Sequence, residues 1–517
     1  MSRIAAVLLA GAAALFACAA PRPPPPAQPQ KASATDQVHR GAPPGPGPLA
    51  APDRSRPPAL GPAPEVRLPA QRHLELSNGL RVRLVEHHQL PIVALHLVVD
   101  AGSARDPDRL PGLASFTAAM LTEGTRTRSA IRISDEVGFL GATLDAGTGP
   151  DAAFLSGASL ARHLPALLQV FADVAMNPAF PPADLERVRD QRRVTLLQQR
   201  DQPPIVAAKA FTTAFWGAHP YGHPVIGTEA ALEATRRADL ARFHDRFWRP
   251  ANAELVVVGD VAEDQLRPLL ERSLGAWKPG ARAPAIPTRA PAAPHRTVLV
   301  EKPDAPQAFV LMGMPGLDRG SADFLAASVM FEVLGGGTSS RLFRHLREEK
   351  GYTYGMGAGA DARRAGGASV VRGSVKADVT GAALGALLGE VARLRREDVP
   401  AGELEDAKEG IIRSLPADFA TVGGIAGRIA SLIAFGLPDD YWDTYADAVG
   451  KVTAGDVRRT AERYLDPART TLVLVGAPAL VAPQLAGLPL GEVEVRPPPG
   501  VPPVRAAPAR AAPAAGP

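Results

Sequence analysis

Cysteine is nearly absent: Cys18 is the only one in 517 residues, so no disulfide can form within the chain. Aromatic residues make up 5%, too few to suggest a stacking surface for nucleic acid. Fifty-seven basic and 53 acidic residues leave a formal charge of +4, and neither sign gathers into a block. That balance argues against nucleic acid as a partner. The apolar run from Ile4 to Ala17 is shorter than the roughly 18–20 residues of a membrane span.

Apolar residues, by contrast, reach 46%, a globular value, and the length calls for more than one domain. The 53 prolines crowd the ends, in "APRPPPPAQPQ" (20–30), "GAPPGPGPLAAPDRSRPPALGPAPE" (41–65) and "RPPPGVPPVRAAPARAAPAAGP" (496–517). Segments of that composition cannot bury enough apolar surface to offset ordering entropy, so 19–65 is expected to be a disordered tether and 496–517 a disordered tail. A shorter proline-rich stretch at 281–295 divides the body into two parts, 66–280 and 296–495.

Arg3 followed by the 4–17 run reads as a signal peptide, residues 1–18. Cys18 directly follows "LFA", which resembles a bacterial lipobox; the alternative is an ordinary secretory signal that contains a cysteine. The place of the one cysteine favours lipidation at Cys18. The resulting expectation is a body in the periplasm, anchored to a membrane of the bacterial cell envelope by lipid.

The body repeats itself. "ADLARFHDRFWRPANAELVVVGDV" (238–261) matches "GDVRRTAERYLDPARTTLVLVGAP" (455–478), with Asp239, Pro250 and Gly259 against Asp456, Pro467 and Gly476 at one offset. "PPADLERVRDQ" (181–191) resembles "PAGELEDAKEG" (400–410), and "MLTEGTRTR" (120–128) resembles "VLGGGTSSR" (333–341). Each half opens on alternating runs about a turn, at 79–103 and 296–316, which predict antiparallel strand pairs. Helical spacing follows at 160–177 and 380–397. The fold class expected is α+β: two homologous domains, each with helices packed on a mostly antiparallel sheet.

Five segments in order, "LSNGLRV" (76–82), "LHLVVDAGSARDPDRLPGLASFTAAMLTEGT" (95–125), "HPYGHPVIGT" (219–228), "LGGGTSSRLFRHLREEKGYTYGMGA" (334–358) and the strand closing each half, resemble the insulinase/pitrilysin family of zinc metallopeptidases. The likeness is to the short two-domain bacterial form, similar to mitochondrial processing peptidase, and implies a clam-shell of two domains. Active members carry H-x-x-E-H, two histidines one helical turn apart for zinc and a glutamate that takes a proton from the bound water. Here those positions hold Ser115, Ala118 and Ala119, which offer neither ligands nor base. A further glutamate ligand of the family would fall on "RVRDQRRVTLLQQRD" (187–201), which contains none. His219 and His223 are separated by proline and glycine, and the adjacent His87 and His88 would point to opposite faces of a strand. No metal ligand is therefore assigned to this chain.

In "LREEKGYTYG" (346–355) the resemblance implies that Arg347 and Tyr354 contact the substrate backbone. Some family members divide the site between two chains, one with H-x-x-E-H and one with this arginine–tyrosine pair. The expectation is thus a non-catalytic, substrate-orienting subunit that pairs with an H-x-x-E-H chain holding the zinc and cleaves extended peptides only as that heterodimer. The alternative is an inactive peptidase-like binding or assembly protein of the cell envelope.

Overall fold

The computed structural model describes residues 61–62, 69–287, 291 and 293–497. Cys18, the 1–18 signal and all but a few residues of the 19–65 tether lie outside these, as does the tail beyond Pro497. Among the described residues two six-stranded sheets carry the fold. The first contains β1 (Arg72–Glu75), β2 (Arg81–Glu86), β3 (Ile92–Val99), β4 (Thr143–Thr148), β5 (Ala153–Leu160) and β6 (Ala253–Gly259). The second contains β7 (Arg296–Glu301), β8 (Gln307–Pro315), β9 (Thr353–Arg363), β10 (Gly366–Lys376), β11 (Thr471–Gly476) and β12 (Glu492–Arg496).

The alternating runs that open each half are strands, but they do not pair with one another. The order of the first sheet is β1-β2-β6-β3-β5-β4, so β6 lies between β2 and β3, parallel to one and antiparallel to the other. β11 divides β7 from β8 in the same way. The cause is burial: every residue of "AELVVVG" and "TLVLVG" is enclosed, and such strands belong at a sheet's centre, not its edge. Most strand pairs are nonetheless antiparallel, and the α+β class holds with the two-domain repeat.

Matched residues of the repeat perform matched tasks. Asp239 accepts a hydrogen bond from the Arg236 backbone at 2.9 Å and Asp456 accepts one from Thr453 at 2.9 Å, each closing a helix start. Helices of its own half cover one face of each sheet, giving two cores. The other face is covered reciprocally. Helix Pro203–Trp216 of the first half lies on β8 and β11, and helix Val422–Phe435 of the second lies on β3 and β6. Phe211 and Phe215 pack there against Val298, Leu311 and Val473, and Ile425 and Ile429 against Val98 and Val256. Ile286 and Ala293, from the stretch between the halves, are buried in the first of these seams.

Candidate functional site

Helix Leu113–Met120 holds the degenerate motif. Gly112 precedes it at φ 94°, and its Cα approaches Gly227 so closely that a Cβ on Gly227 would stand 2.1 Å from the Pro111 carbonyl oxygen. The "PG" and "IG" pairs therefore let the 224–228 loop lie directly on the helix start. Asp106 caps it: one carboxylate oxygen accepts from Gly112 N at 2.6 Å, the other from Ala114 N at 2.7 Å. Its side chain has no solvent exposure, and burial pushes its pKa up to about 7 against the pull of those two N–H groups and of Arg192.

Behind the motif runs helix Pro182–Gln199, on which the resemblance places a further acidic ligand that this chain lacks. It supplies the opposite charge. The Arg192 guanidinium donates to Ser115 Oγ at 3.0 Å and to the Ile226 carbonyl at 3.1 Å, and lies 5.2 Å from the centre of the Phe116 ring. Burial lowers its pKa to about 10, with Asp106 opposing the shift, so it remains cationic at neutral pH. Ala118 is 1% exposed and Ala119 packs against the first core.

These residues do not fit zinc. A zinc centre requires about four nitrogen, oxygen or sulfur donors at roughly 2.0–2.3 Å. The helix crossing offers one hydroxyl, already engaged by a cation, and a carboxylate with both oxygens used on backbone N–H groups. Among the described residues no group of three or more His, Cys, Asp or Glu could hold a metal ion.

"HPYGHPVIGT" serves the seam between the halves. Tyr221 is 1% exposed; its hydroxyl donates to Asp151 and accepts from Ala365 N at 3.2 Å. Asp151 also accepts from Arg364 N at 3.1 Å. Burial and the neighbouring Asp151 push the phenol well above its ordinary pKa. His219 Nδ1 accepts from Tyr221 N at 3.1 Å while its ring stacks on Tyr221. His223 hydrogen-bonds Pro224, and burial lowers its pKa. The other histidine of interest, His88, is bound to Asp260 at 2.7 Å.

Arg347 and Tyr354 are displayed differently. Arg347 is exposed on the helical segment Phe343–Glu349, its guanidinium 4.6 Å from the centre of the Phe343 ring. Tyr354 stands 81% exposed near the start of β9. β9 is an outer strand, paired along one side with β10, and among the described residues no strand pairs its other side. Neither side chain makes a hydrogen bond or ion pair among the described residues. Nor does any such contact link them to Ser115, Ala118 or Ala119. Asp106, Arg192 and Asp151 escaped the sequence reading; a ligand-free 113–120 helix opposite an arginine-rich 187–193 run was the one signal available.

Residues 81–229 match the family model "Insulinase (Peptidase family M16)", and residues 235–411 match "Peptidase M16 inactive domain". An uncharacterized zinc protease of Mycobacterium tuberculosis is 31% identical over 307 residues, 59% of this chain and 70% of the relative. One from Bacillus subtilis is 25% identical over 65% of this chain and 82% of its own length. Among solved structures, a peptidase M16 inactive domain from Pseudomonas fluorescens superposes with a TM-score of 0.74 at 25% identity, over 78% of this chain and 98% of its own. A protease from Helicobacter pylori gives 0.74 at 19% identity, over 79% and 100% respectively, a likeness of fold.

Proposed function

Because the chain belongs to the insulinase family of peptidases, M16, we propose that it is the non-catalytic, substrate-orienting subunit of a two-chain zinc peptidase. Its partner would be a homologous chain with an intact H-x-x-E-H helix, and the zinc would reside there. One observation carries the reading: the motif helix is bridged by the half-buried Arg192, while Arg347 and Tyr354 remain exposed beside a strand edge that no strand pairs among the described residues. The 81% exposure of Tyr354 leaves its hydroxyl accessible to a peptide.

In this reading an extended peptide lies along β9, whose unpaired N–H and C=O groups suit another strand. Arg347 donates two N–H groups and Tyr354 one O–H to peptide carbonyls, orienting the substrate toward the partner. Stacking over Phe343 holds the guanidinium in place before substrate arrives, which lowers the entropy lost on binding. The zinc, when bound in the partner, supplies the Lewis acid and the activated water. Cys18 would carry the lipid that keeps the complex in the periplasm at the cell-envelope membrane.

The test is the peptidase rate of the reconstituted pair. Arg347→Ala and Tyr354→Phe should each lower kcat/KM by about 10-fold or more, the value of a hydrogen bond from a charged or well-placed donor, with assembly unchanged. Full activity in both variants would remove the orienting role. It would favour the second reading, an assembly or binding protein of the cell envelope.

A further inference from the structure

The space between the 113–120 and 182–199 helices is spanned by Arg192, whose partners lie on two other elements. Arg192 reaches Ser115 Oγ on the first helix, the Ile226 carbonyl on the 224–228 loop and the face of Phe116, from its own place on the second helix. A metal ion in this position would draw the same two helices together through its ligands. We propose that the Arg192 guanidinium has replaced the metal here: it ties the motif helix to the helix behind it and to the 224–228 loop, and it bars any divalent cation from the space between.

Three features support this. The charge is retained, because the buried Asp106 carboxylate stands near the guanidinium and opposes its loss of a proton. The geometry bridges two segments: Nη2 donates to both Ser115 Oγ and the Ile226 carbonyl, and Nη1 reaches the Ser115 carbonyl at 3.5 Å, as a guanidinium rich in donors allows. Finally, Nε of Arg192 is buried without a hydrogen-bond partner, so the site's unmet need is an acceptor and not a second cation. The inference concerns this chain alone and does not depend on whether it pairs with a peptidase.

The experiment uses the full chain and reads zinc binding and local opening separately. Three grafts are compared by competition with a chromogenic chelator. One carries Ser115→His, Ala118→Glu and Ala119→His; the second adds Arg192→Met; the third adds Arg192→Glu. With Arg192 retained, zinc should bind roughly 100-fold more weakly than in the Arg192→Met graft, from a unit charge held within about 4–5 Å of the ion. The Arg192→Glu graft should bind tightest. Equal affinity with and without Arg192, or no binding in any graft, would overturn the exclusion. In the otherwise native chain, Arg192→Met should speed amide exchange in 113–120 and 224–228 by about 10-fold or more. Arg192→Lys, which keeps the charge but not the fork, should fall between and carries the comparison should the methionine variant not fold. Unchanged exchange would overturn the tether. So would a melting temperature of the native chain that falls with chelator or rises with zinc.

Discussion

Replacing Tyr221 by phenylalanine removes one oxygen from the seam between the halves, and the structure sets the size of the effect. That oxygen donates to Asp151, a carboxylate 5% exposed, and accepts from Ala365 N at 3.2 Å. A hydrogen bond to a charged group contributes about 1.5–3 kcal/mol, and a buried N–H left unpaired costs about 1–3 kcal/mol. Asp151 keeps its bond from Arg364 N, so the carboxylate is not wholly abandoned. The ring still fills its space between His219 and Trp216. The expected loss is thus about 3 kcal/mol, toward the lower end of the combined range. Equilibrium urea unfolding measures it as a lower midpoint at unchanged slope. A double-mutant cycle with Asp151→Asn should show that the two losses are not additive. A loss below about 1 kcal/mol would refute the assignment of "HPYGH" to the seam, because surface substitutions commonly stay near ±0.5 kcal/mol.

Two other perturbations follow from the geometry. His244 is buried, bonded to the Ala175 carbonyl at 2.9 Å, and burial lowers its pKa to about 4. The unfolded chain, at about 6.5, binds this proton first, so stability is full above pH 6.5 and falls as pH drops toward 4. Between pH 7 and pH 4.5 the native chain should lose about 2–3 kcal/mol more than His244→Gln, measured by urea midpoints at each pH; parallel pH profiles would contradict this. Gly227→Ala places a methyl 2.1 Å from the Pro111 carbonyl oxygen at a φ of +82°. It should cost about 2–4 kcal/mol through displacement and backbone strain, seen as a lower thermal midpoint. A neutral outcome would mean that the 224–228 loop does not rest on the motif helix.

The legible parts of this fold were those set by local sequence. The repeat, with Asp239 matched to Asp456, and its apolar strands could be read because such patterns act over a few residues; that both aspartates cap helices is seen in the structure. The order of strands could not. β6 and β11 enter between strands that look like hairpin partners, and only their complete burial, a tertiary fact, reveals this. The loss of the zinc motif was visible at Ser115, Ala118 and Ala119, since serine and alanine cannot act as the missing ligands and base. What stands in its place was not visible. On a helix reading "RVRDQRRV", Arg192 resembles neighbours such as Arg193, which pairs with Glu233 in solvent. Three-dimensional packing alone separates the arginine that reaches Ser115 and Ile226 from the one that pairs with Glu233.

The most direct test of the account is purification of the tagged chain from its native cells, membranes included, reading zinc content and co-purifying proteins in the same sample. The account predicts a second chain at equal stoichiometry that carries H-x-x-E-H, with zinc at one ion per pair. A chain recovered alone and binding zinc by itself would contradict both the subunit reading and the exclusion of metal by Arg192.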